Sequence, residues 1–450
     1  MLKPEPALPR YYVDPFGCVK NQVDAENMML RLNNAGWTAA QDAADADLII
    51  VNSCGFIESA KQESINAVLG WRRLYPGKKI LLAGCLAQRY AQELAESLPE
   101  TDGFFGVDAI ADIVEKAELL MGNTGQGPAA EEHYSPSLRP LLSLPGSAYV
   151  KISEGCDNCC TFCAIPLIRG PLRCRTVPDI VDECKGLLAR GIKELCVIGQ
   201  DIGSYRSDGA GLPELLNAFA ELSGDFWVRL LYIHPDHFPL PILDTMEQDR
   251  RFLPYFDIPF QHASPNILSA MNRHGTAETY ISLVETIRRR LPASVIRTTF
   301  LAGFPGEIDA DFAALLDFQE KIRSDWLGCF SYSREEGTPA YTMKGQVPKK
   351  IAARRKQEIE ERQIPITEKN MDRFVGQNLD VLLEEQFSGS TEDIESENFW
   401  LGRLYCHAPE VDGAAVVVST GGRAEPKAGD ILPCRVIARR GFDLEVRLAK

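Results

Sequence analysis

The sequence predicts an α/β protein in three parts. These are an N-terminal Rossmann-like domain built on a parallel sheet, a central partial (β/α) barrel, and a small antiparallel β-barrel at the C-terminus. Three observations predict it. Apolar strand-like runs alternate with amphipathic helical stretches over residues 9–122 and again from 148 to about 343. A stretch rich in Gly, Pro and Ser, 123–147, separates the two and reads as a linker. From about residue 374 the helical pattern stops, and short β-type runs follow one another between Gly, Pro and Asp.

In the first part, YYVDPFGC reads as a strand leading to Cys18 and QVDAENMMLRLNNAGW as a helix ending near Gly36. ADLIIVNSC is a buried strand leading to Cys54. SAKQESINAVLGWRRL is the next helix, and KKILLAGC the next strand, leading to Cys85. Strand–helix–strand units of this length imply parallel strands joined by right-handed crossovers. In the second part the strand candidates are SAYVKIS, IKELCVIGQ, FWVRLLYI, YFDIPFQ, VIRTTFLAGF and WLGCFSYS, with helices such as VPDIVDECKGLLARG and AETYISLVETIRRRL between them. Six such strands suit a barrel or partial barrel whose functional residues gather at the strand carboxyl ends. KKIAARRKQEIEERQIPITEKNMD is a charged helix. The third part, 374–450, offers LDVLLEEQF, WLGRLYC, AAVVVST, ILPCRVIARR and FDLEVRLA as short strands.

Composition narrows the function. The chain has 450 residues, 45% hydrophobic and 25% charged, as in ordinary globular proteins. No apolar run is long enough to span a bilayer, and the first residues lack a signal-peptide core, so a cytoplasmic protein is expected. Thirteen cysteines in a reducing compartment are not a disulfide framework. Metal ligation is the better reading for those that cluster.

Two clusters stand out. CDNCCTFC places Cys156, Cys160 and Cys163 as C-x3-C-x2-C just beyond a strand. Three thiolates hold three irons of a 4Fe–4S cube and leave the fourth iron open to a small chelating molecule. A structural zinc wants four closed ligands, and no further C-x2-C pair or neighbouring His supplies the fourth. By spacing, Cys159 is a bystander. Cys18, Cys54 and Cys85 each follow a strand, 36 and 31 residues apart, in the contexts FGC, NSC and AGC. In a parallel sheet, strand carboxyl ends share one edge, so these three are expected to meet there. The alternative is three cysteines packed at strand ends. Cys184, Cys196, Cys329 and Cys434 are read as small buried hydrophobes.

The stretches GCVKNQVDAENM, ADLIIVNSCGFIESA, LLAGCLAQRY, EGCDNCCTFCAIPLIRG, DIPFQHASPNILSAMNR and TTFLAGFPGE resemble, in order and over nearly the whole chain, the methylthiotransferase family of radical S-adenosylmethionine enzymes. The C-terminal barrel resembles that family's TRAM domain, which is OB-like. The resemblance implies a cluster on Cys156, Cys160 and Cys163 that binds S-adenosylmethionine and generates a 5′-deoxyadenosyl radical. It implies a second cluster, on Cys18, Cys54 and Cys85, that delivers sulfur, and a second S-adenosylmethionine that gives the methyl group. The product is C–S–CH3 where a C–H bond stood. An electron donor and a sulfur source are implied as partners. An unactivated C–H bond has no acid–base route, so a cofactor must carry the hard step. No Ser–His–Asp order, HExxH or P-loop lysine offers another chemistry.

Further candidates for cofactor binding are Gln200, with Asp201, at the end of IKELCVIGQ; Arg273 in SAMNR, for a carboxylate; and Gly303 and Glu307 in GFPGE. The GFPGE glycines would admit close backbone approach to a ligand, with Glu307 accepting from an amine or ribose hydroxyl or else standing solvated in a first helical turn. His234, His237 and His262 carry no assigned role. DPFG before Cys18, and Cys174 in PLRCR, depart from the commoner family pattern.

The family divides into tRNA-modifying enzymes and enzymes that modify an aspartate of small-subunit ribosomal protein S-twelve. Residues 374–450 hold eight Lys/Arg against thirteen Asp/Glu, and between Glu384 and Asp412 eight acids face one base, Arg403. A phosphate-gripping barrel should be basic. An acidic one suits a basic ribosomal protein, and GRLYCHAPEVDG and GCVKNQVDAEN resemble that branch. The expectation is therefore an S-twelve aspartate methylthiotransferase. The alternatives are a tRNA adenosine methylthiotransferase and, from another class, a non-enzymatic iron–sulfur or zinc redox sensor.

Overall fold

The computed structural model describes residues 8–122, 135–391, 394–418 and 426–449. The first sheet is parallel throughout, in the order Thr38–Ala39, Arg10–Pro15, Leu48–Ser53, Lys79–Gly84, Gly103–Phe105. The run LIIVNS is wholly buried, as a central parallel strand covered on both faces must be. Helices Val19–Asn34, Glu58–Leu74 and Cys85–Ser97 follow the three strands that lead to the cysteines. Pro15 pairs with Asn52, and Ser53 with Gly84, so the three carboxyl ends lie side by side, about 5 Å between neighbouring strands.

The central sheet has six parallel strands in chain order: Ser147–Lys151, Glu194–Ile198, Trp227–Leu230, Phe252–Asp257, Val295–Ala302 and Trp326–Ser331. Among the described residues the first and last do not pair, so the barrel is partial, as expected. Its outer face packs on helices such as Val177–Ala189 and Ala277–Arg290 through Ile180, Leu187, Tyr280 and Ile287. The charged helix forms over Lys349–Asp372 despite Pro365.

The last five strands, Asn378–Thr391, Ile394–Arg403, Ala415–Val418, Ile431–Arg440 and Asp443–Leu448, close into a barrel. The antiparallel expectation needs one correction: Ala415–Val418 pairs with Asp443–Leu448 in parallel. That pairing lets five strands close on themselves and leaves no edge.

Polar groups and apolar side chains together lock the barrel to the central sheet. Tyr149, Cys196, Leu231, Tyr255 and Trp326 share one apolar cluster with Trp400, Leu404 and Val417. Within it, Arg403 donates to both carboxylate oxygens of Glu194, at 2.5 and 3.2 Å, and Arg229 donates to the same carboxylate at 2.7 Å. Burial alone would raise the Glu194 carboxyl, but the two guanidiniums outweigh it and hold it at about 2. A second buried arginine, Arg139, lies at the end of the Gly- and Pro-rich stretch. It joins Glu26 of the first part, at 2.8 Å, to Glu183 of the second. Residues 123–134 of that stretch lie outside the described residues. Among the described residues no helix is long and apolar enough to cross a membrane.

Candidate active site: two cysteine trios around one cavity

Cys18 caps the helix Val19–Asn34, Cys54 directly follows its strand, and Cys85 opens the helix Cys85–Ser97. The glycine before Cys85 is required. Gly84 has φ +95°, and a Cβ there would stand 2.6 Å from the carbonyl oxygen of Ser53. Cys156, Cys160 and Cys163 lie on the loop between the edge strand Ser153–Glu154 and the short helix Ile165–Arg169. All six cysteines line a single cavity of about 380 Å3 with a largely apolar wall. Two cysteine sets 71 residues apart at their closest, Cys85 and Cys156, therefore face one open cavity.

A buried polar network fastens the trios to each other. Arg169, just beyond the second trio, donates from Nη2 to Cys85 Sγ at 3.2 Å, Asn21 Oδ1 at 2.5 Å and Asp24 Oδ2 at 2.9 Å. Its Nη1 donates to Glu154 Oε1 at 2.8 Å. Cys85 Sγ donates to Asn21 Oδ1 at 3.1 Å. Glu154 also receives Lys151 at 2.6 Å and Gln200 at 3.1 Å. Burial would raise the Glu154 carboxyl, but Lys151 and Arg169 bring it to about 2. One guanidinium thus touches a ligand of the first trio and the strand that presents the second.

Burial pushes the thiols up: Cys85 and Cys163 to about 12, Cys156 to about 11, with Cys54 and Cys160 also raised. Such thiols become ligands when a metal displaces their protons, which are released to solvent. Among the described residues no three His, Cys, Asp or Glu side chains close on a single ion. The cysteines flank a volume instead, and this donor set suits a cube larger than an ion rather than a four-ligand zinc site. Among the described residues, three buried polar atoms of the lining have no partner: Gln200 Oε1, His234 Nε2 and Arg273 Nε. They suit a polar ligand such as S-adenosylmethionine. Burial, aided by Arg273, lowers His234 to about 3, so its ring is neutral. Three lining residues that are not glycine hold positive φ: Cys159 (51°), Tyr232 (68°) and Gln261 (68°). Strain of this kind gathers where function needs it, at about 1–3 kcal/mol each.

Comparison with known proteins identifies the whole chain. Residues 10–106 match the model described as uncharacterized protein family UPF0004, 150–318 the radical SAM superfamily, and 375–448 the TRAM domain. A ribosomal protein uS12 methylthiotransferase of Treponema denticola is 45% identical, over 96% of this chain and 99% of its own. Its counterpart in Aquifex aeolicus is 38% identical, over 96% and 95%. This chain belongs to the ribosomal protein uS12 methylthiotransferase family. Among solved structures, the radical S-adenosylmethionine methyltransferase TsrM of Kitasatospora setae superposes with a TM-score of 0.54 at 16% identity, over 72% of this chain and 73% of that one. That likeness speaks for the fold.

Within this family framework, the structure relocates several residues singled out from sequence. Gln200 and Arg273 line the cavity; Gly303 and Glu307 do not. Glu307 is not a solvated acid. It is buried, accepts from the Gly303 and Phe304 amides at 2.7 and 3.2 Å, and pairs with Arg355 at 2.8 Å. Gly303, at φ +79°, makes room for the helix Lys349–Asp372. A Cβ there would sit 2.3 Å from that of Ala352. Asp201 braces the second trio from outside the cavity, accepting from Asn158 at 2.9 Å, Ser204 at 2.6 Å and His237 at 3.1 Å. Burial would raise its carboxyl, but those bonds win and hold it well below the carboxylate range.

The acidic tail also reads differently in three dimensions. Glu384 and Asp412 are buried, paired with Arg403 at 2.6 Å and Arg297 at 3.4 Å, so neither contributes to an outer acidic face. Glu392 and Asp393, with the side chains of Glu395 and Glu397, lie outside the described residues. Reasoning from sequence passed over Lys20, Arg169, Tyr232 and Gln261. Arg169 and Lys20 stand inside the quoted strings CAIPLIRG and GCVKN. Gln261 likewise stands inside DIPFQHASPNILSAMNR, while the strained Tyr232 carries no sequence signal.

Proposed function

We propose that this chain converts a C–H bond on the β-carbon of an aspartate of ribosomal protein uS12 to C–S–CH3, using two 4Fe–4S clusters and S-adenosylmethionine. Cys18, Cys54 and Cys85 hold one cluster, and Cys156, Cys160 and Cys163 hold the other. The observation that carries this reading is that both trios line one cavity, which lets sulfur and hydrogen-abstracting chemistry reach the same carbon. When bound, the cofactors supply the radical, the sulfur and the methyl group that no side chain can. The protein's own residues place and shelter them. Arg169, Asn21 and Glu154 fix the two ligand loops relative to each other. Gln200 and Arg273 offer polar contacts to S-adenosylmethionine, and the apolar wall excludes water that would quench a radical. The exposed rings of Phe56 and Phe330 at the lining offer an apolar rim for the substrate.

The working parts divide as 9–122 for the sulfur-delivering domain, 148–373 for the radical S-adenosylmethionine core and 374–450 for the TRAM barrel, with 123–147 between the first two. An electron donor and a sulfur source complete the reaction, which takes place in the cytoplasm. Mass spectrometry of uS12 and of tRNA from cells lacking the gene tests the substrate. Loss of the methylthio group from the uS12 aspartate alone is expected, and loss from tRNA alone would reverse the reading.

A further inference from the structure

We infer that Lys20 is the specificity-determining residue of this site, its ammonium receiving the carboxylate of the substrate aspartate. The inference rests on the uS12 aspartate reading above.

Three cationic side chains line the cavity: Lys20, Arg169 and Arg273. Arg169 is committed to Cys85, Asn21, Asp24 and Glu154. Arg273 donates to the Pro259 carbonyl at 2.7 Å and lies against Cys160, on the side of the second trio. Lys20 is buried at 8% exposure, yet its Nζ donates to no protein acceptor among the described residues. It rests instead on the Tyr232 ring, 3.3 Å from the centroid. Of the groups facing it, Cys18 belongs to the first trio, Asp257 pairs with Arg297 at 3.2 Å, Glu154 pairs with Lys151 and Arg169, and Arg169 is itself a cation. A buried ammonium without an anion is costly unless a ligand brings one.

Its position selects which ligand. Lys20 is two residues from Cys18, on the sulfur-delivering side. The carbon that accepts sulfur must come to that side, and in an aspartate the β-carbon is bonded directly to the carboxylate carbon. The target's negative charge therefore has to enter an apolar cavity beside the first trio, where Lys20 is the cation left unpaired among the described residues. An uncharged base would gain nothing from it.

The test is a binding cycle on the anaerobically reconstituted holoenzyme, compared at equal iron content. Synthetic peptides spanning the uS12 target carry either the aspartate or asparagine at that position. Wild type should bind the aspartate peptide roughly 10- to 100-fold more tightly than the asparagine one, as a charged hydrogen bond predicts. Lys20→Met should erase that preference, and Lys20→Arg should keep most of it. A preference that survives in Lys20→Met, or is absent from wild type, overturns the inference. If wild type binds neither peptide and modifies tRNA, the uS12 reading itself fails, and that result is distinct from the other two.

Discussion

The Glu194 knot offers the sharpest quantitative test of how the C-terminal barrel is held. Glu194 is fully buried at the start of its strand and receives Arg229, Arg403 and the Ser147 hydroxyl, the last at 2.8 Å. Its carboxyl lies at about 2 against an ordinary 4.5. A depression of that size corresponds to about 3 kcal/mol favouring the folded state. Replacing it by glutamine keeps the shape and removes the charge, leaving Arg229 and Arg403 with one carboxylate, Glu384, between them. Breaking a buried pair in this way costs about 3–5 kcal/mol. Glu194→Gln should therefore lower the unfolding free energy of the holoenzyme, read from denaturant titration, by that amount and expose the 374–450 barrel to limited proteolysis.

The pH dependence has a definite sign. The folded-state pKa is depressed, so the stabilisation is present in full above the unfolded value of about 4.5 and is lost as pH falls towards the folded one. The gap between wild type and variant should accordingly be flat between about pH 6 and pH 8. The double variant Glu194→Gln/Arg403→Met should be less than additive, since the second change removes a charge that the first left unpaired. A Glu194→Gln protein within about 1 kcal/mol of wild type would refute the view that this ion cluster docks the barrel.

Other outcomes follow from the site. Cys85→Ala and Cys163→Ala should each leave about four of about eight irons per chain, measured by iron assay on anaerobically reconstituted protein; loss of all iron in either would mean the two clusters are not independent. Arg169→Met removes an N–H···S bond to Cys85 and a positive charge beside it, so the potential of the cluster on Cys18, Cys54 and Cys85 should become more negative. A potentiometric titration followed by electron paramagnetic resonance in a Cys156→Ala/Cys160→Ala/Cys163→Ala background isolates that cluster, and an unchanged potential would contradict the contact. Gly303→Ala combines a positive φ with a Cβ pressed on Ala352 and should cost about 2 kcal/mol or more, read as a lower melting temperature with the iron content retained.

Much of this architecture was legible in the chain. The six cysteines of the two trios were readable because each is tied to a local pattern, a strand end or a tight C-x3-C-x2-C loop, and local patterns survive in one dimension. The three-layer order of sheet, partial barrel and closed barrel followed from hydrophobic period for the same reason. That Glu307 is buried was not legible, because the helix Lys349–Asp372, some forty residues onward, supplies the arginine that pairs with it. The acidic count in the tail pointed to the right branch, but charge summed along a sequence does not reveal that Glu384 and Asp412 turn inward to Arg403 and Arg297.

The sequence by itself determined the two cysteine trios, the order of the domains and the family, because these depend on residue type and on spacing within single strand–loop–helix units. Only the tertiary structure decided that the two trios share a cavity, that Arg169 joins them, and that Lys20 is left with its charge unspent. Those facts depend on groups from separate parts of the chain meeting inside a low-dielectric interior. There, whether a charge is paired is settled by geometry between domains, which no local pattern encodes.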